Sequence, residues 1–229
     1  NEDVRLPTGI ETVTSIPTYL TCAEQTEIHG YTSSGGRVTL GDGGLKLISH
    51  EYVKSFGFEI RKLMPFLSVS VQLDPERFSN ICFVDTPGYD PASATSTSEH
   101  DREVAKRFAE GAQALLWVMG ANSGQVSSSD IDFIESLSNF TNIPVYVVIS
   151  KSEHRRDEID EILDLVDLTF ESTSINYLGV SAEDAIFRGD YGHRRMTLDT
   201  FFSLHDRSSY IEKNLCDKIE VVFERYINA

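Results

Sequence analysis

Hydrophobic and polar residues follow two different rhythms along this chain of 229 residues. Residues 67–73 alternate between apolar and polar side chains, which is the pattern of a half-buried β-strand. Short continuous apolar runs, typical of strands buried on both faces, follow at residues 81–84, 114–119, 144–149 and 177–180. Between these runs, apolar residues recur at intervals of three and four, as they do on one face of a helix. This order predicts an α/β fold with a mostly parallel sheet and helices on both faces, a three-layer arrangement.

The predicted helices begin near residues 98, 129, 157 and 209. Ser129-Asp130-Ile131-Asp132 resembles a capping box at the start of the second of them. The first third of the chain is irregular, with glycine-rich turns at residues 33–36 and 41–44 and a helix, interrupted by Gly57, at residues 49–63. We predict one domain: an irregular region and insert at 1–66, an α/β core at 67–190 and a C-terminal helical segment at 191–229.

The composition narrows the class of protein. The chain has 20 Lys and Arg residues against 36 Asp and Glu, a net charge of −16, so a broad nucleic-acid-binding face is excluded. Its three cysteines are far apart and its six histidines lack metal-ligand spacing, so we expect neither a disulfide framework nor a zinc site. The pairs Arg155-Arg156 and Arg194-Arg195 are predicted to be solvated loop residues, and the acidic run at 157–167 a solvated helix face.

Three motifs follow the carboxyl ends of predicted strands, where open α/β sheets bind their ligands. They are Asp85-Thr86-Pro87-Gly88, Ser150-Lys151-Ser152-Glu153 and Ser181-Ala182-Glu183. The first is similar to the switch-II motif of GTPases, and this resemblance implies that Asp85 reaches the Mg²⁺ of a nucleotide and that the Gly88 N–H meets its γ-phosphate. A glycine suits that position because no Cβ keeps the backbone away from the oxygen.

The second motif is similar to the guanine-reading motif Asn/Thr-Lys-x-Asp, with Ser in place of Asn or Thr and Glu in place of Asp. The resemblance implies that the Lys151 stem lies along the purine ring and that Glu153 accepts hydrogen bonds from the guanine N1–H and 2-amino groups. Adenine cannot supply that pair of donors. Ser181 and Ala182 resemble the last base-contacting motif of the same proteins.

The segment from Leu6 to Pro17, L-P-T-G-I-E-T-V-T-S-I-P, resembles switch I of the dynamin superfamily. By its spacing to the proline, Thr14 matches the threonine that coordinates Mg²⁺ and orients the attacking water; Thr12 and Ser15 are the alternatives. The long insert before Asp85 and the phrase G-Q-V-S at 124–127 favour a bacterial-type dynamin-like protein. The resemblance implies GTP as substrate, Mg²⁺ as cofactor and self-association through the GTPase domain. It also implies a cytoplasmic protein that associates peripherally with a membrane through regions outside this chain.

The sequence departs from that family in a further respect. It contains no G-x-x-x-x-G-K-[ST] loop and no glycine followed by lysine, so the usual cradle for the nucleotide phosphates is missing. We therefore expect an N-terminally incomplete GTPase domain that is inactive by itself. In the family, the strand that leads into this loop lies between the strand ending at Asp85 and the strand ending near Met119. By that resemblance these two strands should not pair directly.

Two other classes of protein compete with a GTPase. One is a catalytically silent module that keeps the GTPase fold and binds a protein partner. The other is a phospho-accepting receiver, which also places Asp and Lys at neighbouring strand ends. The chain length and the lack of an acidic pair after the first strand disfavour the receiver.

Overall fold

The computed structural model describes residues 16–41, 60–86, 96–184, 186 and 188–205. Within them the chain forms two β-sheets with helices on both faces. The strands are β1 Thr18–Cys22, β2 Glu27–Tyr31, β3 Arg37–Leu40, β4 Phe66–Val71, β5 Cys82–Asp85, β6 Leu115–Gly120, β7 Val145–Ser150, β8 Tyr177–Asp184 and β9 Gly189–Arg194. The helices are α1 Ile60–Leu63, α2 Pro75–Phe78, α3 Ser96–Ala109, α4 Ser128–Thr141, α5 Ile159–Glu171 and α6 Leu198–His205. No helix in the described part of the chain is long and apolar enough to cross a membrane.

The first sheet has the strand order β3-β2-β4-β1-β5, in which only β1 and β4 are parallel. Its core consists of Ile16, Ile28, Leu67 and Val69, all buried. The predicted turn at residues 33–36 is confirmed between β2 and β3, where Gly35 has a φ of 86°. The strands β1, β2 and β3 fall in the region that the sequence pattern predicted to be irregular, and that part of the prediction is wrong.

The second sheet has the order β6-β7-β8-β9, with parallel pairs except between β8 and β9. The α/β class is therefore confirmed, but the mostly parallel arrangement holds for β6 to β8, whereas the first sheet is mixed. In β7 every side chain from Val145 to Ile149 is buried, as its continuous apolar run predicted. The register pairs Ile149 with Ala182, so β7 and β8 end at the same edge of the sheet.

Helices cover both faces of the second sheet, as predicted. On one face, the side chains that α5 buries include Ile159, Ile162, Leu163 and Val166, which are the four inward residues expected from the sequence. Ile134 and Leu137 of α4 are buried on that face too. On the other face, Phe201 of α6 packs on Tyr146 with ring centroids 4.9 Å apart. The predicted helix from residue 209 lies outside the described residues, as do residues 49–59 of the predicted first helix.

The capping box of α4 lies two residues earlier than predicted. The Asp130 N–H donates to Ser127 Oγ at 3.1 Å, and the Ser127 N–H donates to Asp130 Oδ2 at 3.1 Å. This reciprocal pair requires the serine just before the first helical residue, and the helix begins at Ser128. Ser127 and Asp130 therefore form the box, rather than Ser129 and Asp132.

Two helices join the sheets to each other. On one face, Phe108 of α3 packs on Tyr19 of β1 with centroids 5.7 Å apart, and Ala109 packs in the same cluster as Trp117 of β6. On the other face, Phe202 of α6 lies 5.6 Å from the Phe83 ring of β5. Within the described residues, β5 pairs with β1 alone and β6 with β7 alone. The prediction that β5 and β6 do not pair directly is thus confirmed.

Candidate functional site

The second and third sequence motifs meet at the carboxyl ends of β7 and β8. Lys151 directly follows β7 and has a left-handed backbone, with φ 59° and ψ 37°. This conformation ends the strand sharply, and the Lys151 carbonyl then accepts the His154 N–H at 3.1 Å. The Ser150 Oγ donates to the Met119 carbonyl oxygen at 3.2 Å and so ties this edge to β6. The motif thus follows the middle one of three paired strands, β6, β7 and β8.

Glu153 lies in the irregular turn Ser152–Glu158 that follows Lys151. Its side chain is 8% exposed, and His154 Nε2 lies 3.8 Å from Glu153 Oε1. Ser152 is fully buried, and its Oγ has no hydrogen-bond partner among the described residues. An exposed lysine thus stands beside a nearly buried carboxylate. The carboxylate can accept two N–H groups from a base, and the lysine stem can cover the flat face of a base.

Ser181 and Ala182 lie inside β8 and not beyond its end. The sequence pattern predicted that this strand stops at residue 180, but pairing with β9 extends it to Asp184. Both side chains are fully buried, and Ser181 Oγ donates to Glu183 Oε1 at 3.0 Å. Burial raises the pKa of Glu183 despite this hydrogen bond. Any contact of Ser181 or Ala182 with a ligand at this edge would therefore come from the backbone.

The switch-II aspartate belongs to the other sheet. Asp85 is the last residue of β5, is half-buried, and stands opposite Thr18 in the antiparallel register with β1. Thr18 is fully buried and donates from Oγ1 to the Ile16 carbonyl at 3.0 Å. Lys151 and Glu153 are brought together with Ser181 and Ala182, whereas Asp85 ends the first sheet. Thr14 and Gly88, together with the alternatives Thr12 and Ser15, lie outside the described residues.

The described side chains could bind Mg²⁺ only together with the phosphates of a nucleotide. In the described part of the chain, no group of three or more His, Cys, Asp and Glu side chains could hold a metal ion. Magnesium seldom needs such a cage, because it keeps several waters and is held by one or two carboxylates plus substrate phosphates. Asp85 is a carboxylate of this kind at a strand end.

The sequence analysis did not predict the ion pair between Arg156 and Asp184. Arg156 Nη2 donates to Asp184 Oδ2 at 2.8 Å, so the arginine expected to be a solvated loop residue holds a buried carboxylate. Arg194 and Arg195 were also predicted to be solvated, yet Arg194 Nε lies 2.6 Å from Asp164 Oδ1 and Arg195 Nε 3.0 Å from Asp167 Oδ1. The one sign of these ion pairs in the sequence was that the chain is strongly acidic and yet contains two Arg-Arg pairs, Arg155-Arg156 and Arg194-Arg195.

The α/β fold, with Asp85 at the end of β5, Lys151 directly after β7 and Ser181 within β8, is the arrangement expected of a domain of the GTPase class. The model of the dynamin family matches residues 3–152, well over half of the chain. The chain therefore belongs to the dynamin family, and it forms a dynamin-type GTPase domain.

A solved structure of a bacterial dynamin shares this fold. It is a chain of an oligomerised bacterial dynamin pair, described as providing a mechanism for the long-range sensing and tethering of membranes. The two sequences are 16% identical, and the TM-score is 0.52, with 76% of this chain and 26% of that chain covered. A second chain, described in the same words, is also 16% identical, with a TM-score of 0.48 over 85% of this chain and 29% of that one. The present chain thus spans little more than a quarter of the length of these proteins. No match is found among curated protein sequences.

Proposed function

We propose that the intact protein binds GTP with Mg²⁺ and hydrolyses it to GDP, and that self-association accompanies this activity. One observation supports the proposal above all. Lys151 and Glu153 lie beside Ser181 and Ala182 at one edge of the sheet, in a domain of the dynamin family. By the resemblance, these are the positions that contact a guanine base in GTPases, with Ser150 in place of Asn or Thr and Glu153 in place of Asp.

Each residue has a distinct role in this proposal. Glu153 accepts the guanine N1–H and 2-amino groups, and the Lys151 stem lies along the ring. Asp85 and Thr14 belong to the Mg²⁺ shell, Thr14 orients the attacking water, and the Gly88 N–H donates to the γ-phosphate. When bound, Mg²⁺ neutralises the charge that develops on the phosphate oxygens. All of these roles rest on the family resemblance.

The missing phosphate loop limits what the 229-residue chain can do by itself. That loop supplies several charge-assisted hydrogen bonds, each worth about 1.5–3 kcal/mol. Without them, the chain should neither bind GTP at micromolar concentration nor hydrolyse it. Tight, Mg²⁺-dependent binding of GTP to this chain alone, measured by calorimetry, would contradict the expectation that it is inactive by itself.

The substitution Glu153→Gln tests the base assignment in the intact protein. A glutamine amide presents one acceptor and one donor, so its NH₂ opposes a guanine donor. We expect GTP affinity to fall by roughly tenfold or more, the equivalent of one charged hydrogen bond, while weak ATP binding changes little. Glu161→Gln is the matched control, because Glu161 is an exposed glutamate in the first turn of α5 and removes the same charge.

A wild-type protein that binds ATP as tightly as GTP would refute the guanine assignment. An intact protein that carries a phosphate loop elsewhere in its sequence and still binds no GTP would instead support the catalytically silent interaction module. Self-association and peripheral membrane association are proposed from family membership. Analytical ultracentrifugation and vesicle co-sedimentation, with and without a non-hydrolysable GTP analogue, test them.

A further inference from the structure

An ion pair just beyond the two base-contacting motifs joins the elements that carry them. Arg156 belongs to the turn after β7, and Asp184 is the last residue of β8. Arg156 Nη2 donates to Asp184 Oδ2 at 2.8 Å, while Asp184 Oδ1 accepts the Ile186 N–H at 2.9 Å. The Asp184 side chain is 2% exposed and that of Arg156 is 37% exposed. The carboxylate is therefore fixed on both of its oxygens.

The same arginine also contacts β9. Its guanidinium carbon lies 5.5 Å from the centroid of the Tyr191 ring, within the range of a cation–π contact. Arg156 thus links the turn to β8 and β9 at once. A planar guanidinium can combine a hydrogen bond with stacking in this way, whereas the compact ammonium of lysine cannot.

The turn that carries Glu153 is irregular and needs such support. Lys151 is in the left-handed region, which is uncommon for a residue other than glycine. Arg155, with φ −137° and ψ 38°, interrupts the helical geometry of the turn. Conformations of this kind persist when surrounding contacts over-determine them. The link from Arg156 to Asp184 is a contact of that sort, anchored in the buried end of β8.

We propose that Arg156 and Asp184 are a positioning pair for guanine recognition. They keep the turn that carries Lys151 and Glu153 in place beside the β8 residues Ser181 and Ala182. Neither residue of the pair contacts the base. The inference rests on the proposed function, because it assigns the pair to the base-reading motifs. It follows that loss of the pair lowers affinity and base selectivity, while the chemical step at the phosphates is unaffected.

The variants Arg156→Lys and Asp184→Asn in the intact protein test this inference. Arg156→Lys keeps the positive charge but removes the planar guanidinium group and its stacking on Tyr191. We expect it to weaken GTP binding by roughly tenfold, within the range of coupling between residues of one network, and to lower the GTP-to-ATP affinity ratio by a similar factor. The value of kcat should stay within about twofold, since the pair acts in binding alone.

Arg195→Lys is the matched control. Arg195 also forms an ion pair, with Asp167, and its guanidinium carbon also stands over a tyrosine ring, 4.9 Å from the centroid of Tyr177. Its partners lie on α5 and at the start of β8, away from the turn. This control should leave GTP affinity, base selectivity and the hydrogen-exchange protection of residues 151–158 unchanged. Arg156→Lys should lower all three.

A double-mutant cycle completes the test. Because both substitutions break one link, the double variant Arg156→Lys/Asp184→Asn should bind GTP no more weakly than the weaker single variant. If wild type binds GTP and the two lysine variants behave alike, the positioning role is refuted while the proposed function stands. A fall in kcat at unchanged affinity refutes it as well. If the wild-type intact protein binds no guanine nucleotide, the proposed function fails and this inference falls with it.

Discussion

Replacement of Gly179 by alanine should destabilise the second sheet. Gly179 has a φ of 157° and lies where the register between β7 and β8 shifts. A Cβ at this position would lie 2.8 Å from the Arg194 carbonyl oxygen and 3.1 Å from the Met196 nitrogen. Both are backbone atoms, so neither can rotate away as the end of a side chain would. The segment after β9 would have to move away from β8.

Two costs determine the size of the effect. Overpacking by one methyl group costs about 1–3 kcal/mol. A side chain on a backbone with this positive φ adds about 1 kcal/mol or more. Together they predict a loss of about 2–4 kcal/mol. With a urea dependence of about 2 kcal/mol per molar, the unfolding midpoint should fall by about 1–2 M.

Fluorescence of Trp117 during urea unfolding measures this loss. Trp117 is the one tryptophan of the chain and lies in β6, in the same sheet as Gly179. Gly120→Ala is the control, because Gly120 has an ordinary extended backbone and a Cβ built there meets nothing within 4 Å. Its effect should stay within about 0.5 kcal/mol. Equal midpoints for the two alanine variants would refute the steric argument.

Two further predictions concern buried hydroxyl and carboxyl groups. The Tyr146 hydroxyl donates to the Met196 carbonyl at 2.7 Å, so Tyr146→Phe should cost about 1 kcal/mol at neutral pH. Burial raises the pKa of Tyr146 from 10.0 to about 12, so the folded protein keeps a proton that the unfolded chain releases. Wild-type stability should therefore fall between these pH values, and the variant should show a shallower fall in urea midpoints measured against pH. Burial also raises the pKa of Glu183, so stability should fall as pH rises from the ordinary glutamate pKa to the raised one. Glu183→Gln should then be more stable than wild type above that interval and lose the advantage below it; parallel curves would contradict the assignment.

The core of the fold could be predicted from the sequence where burial dictates the pattern. In β7 five consecutive residues are buried, and on α5 the apolar residues return to one face every turn. The apolar run of β7 is short, follows Pro144 and consists of β-branched and aromatic residues, which favours a strand over a buried helix, while the spacing on α5 is that of a helix. The predicted end of β7 also puts Lys151 and Glu153 directly after this strand, as the structure has them, and a parallel sheet presents its carboxyl ends at one edge.

A strand that the sequence pattern did not predict, β9, forms because of its contacts with neighbouring elements. β9 is mostly polar and contains two glycines, so its pattern predicts no strand. It forms because β8 offers a free edge and because Arg194 reaches Asp164 and Asp160 on α5. The pairing of Arg156 with Asp184 escaped prediction for the same reason: the two residues are 28 positions apart, and only the fold brings them together.

The last prediction concerns β5 and β6, each of which ends its sheet among the described residues. α3 and α6 pack on both sheets from opposite faces, and Phe202 of α6 packs on Phe83 of β5 and in the cluster that also holds Leu116 of β6. In the described part of the chain, neither strand has a partner on its second side. By the family resemblance, the strand that leads into the phosphate loop lies between these two strands. The strand that carries the phosphate loop, which this sequence lacks, should therefore pair with both edges in the intact protein.

Hydrogen exchange of β5 and β6 decides whether such a strand exists. In the intact protein, the amides of these two strands should be protected as strongly as those of β7, which already has a neighbour on each side. In the 229-residue chain alone, they should exchange markedly faster, while β7 stays protected and serves as the internal control. If the lone chain protects all three strands equally, β5 and β6 have found partners within it. Direct pairing between them would remove the space for a phosphate-loop strand, and the silent interaction module would then be the better account of this domain.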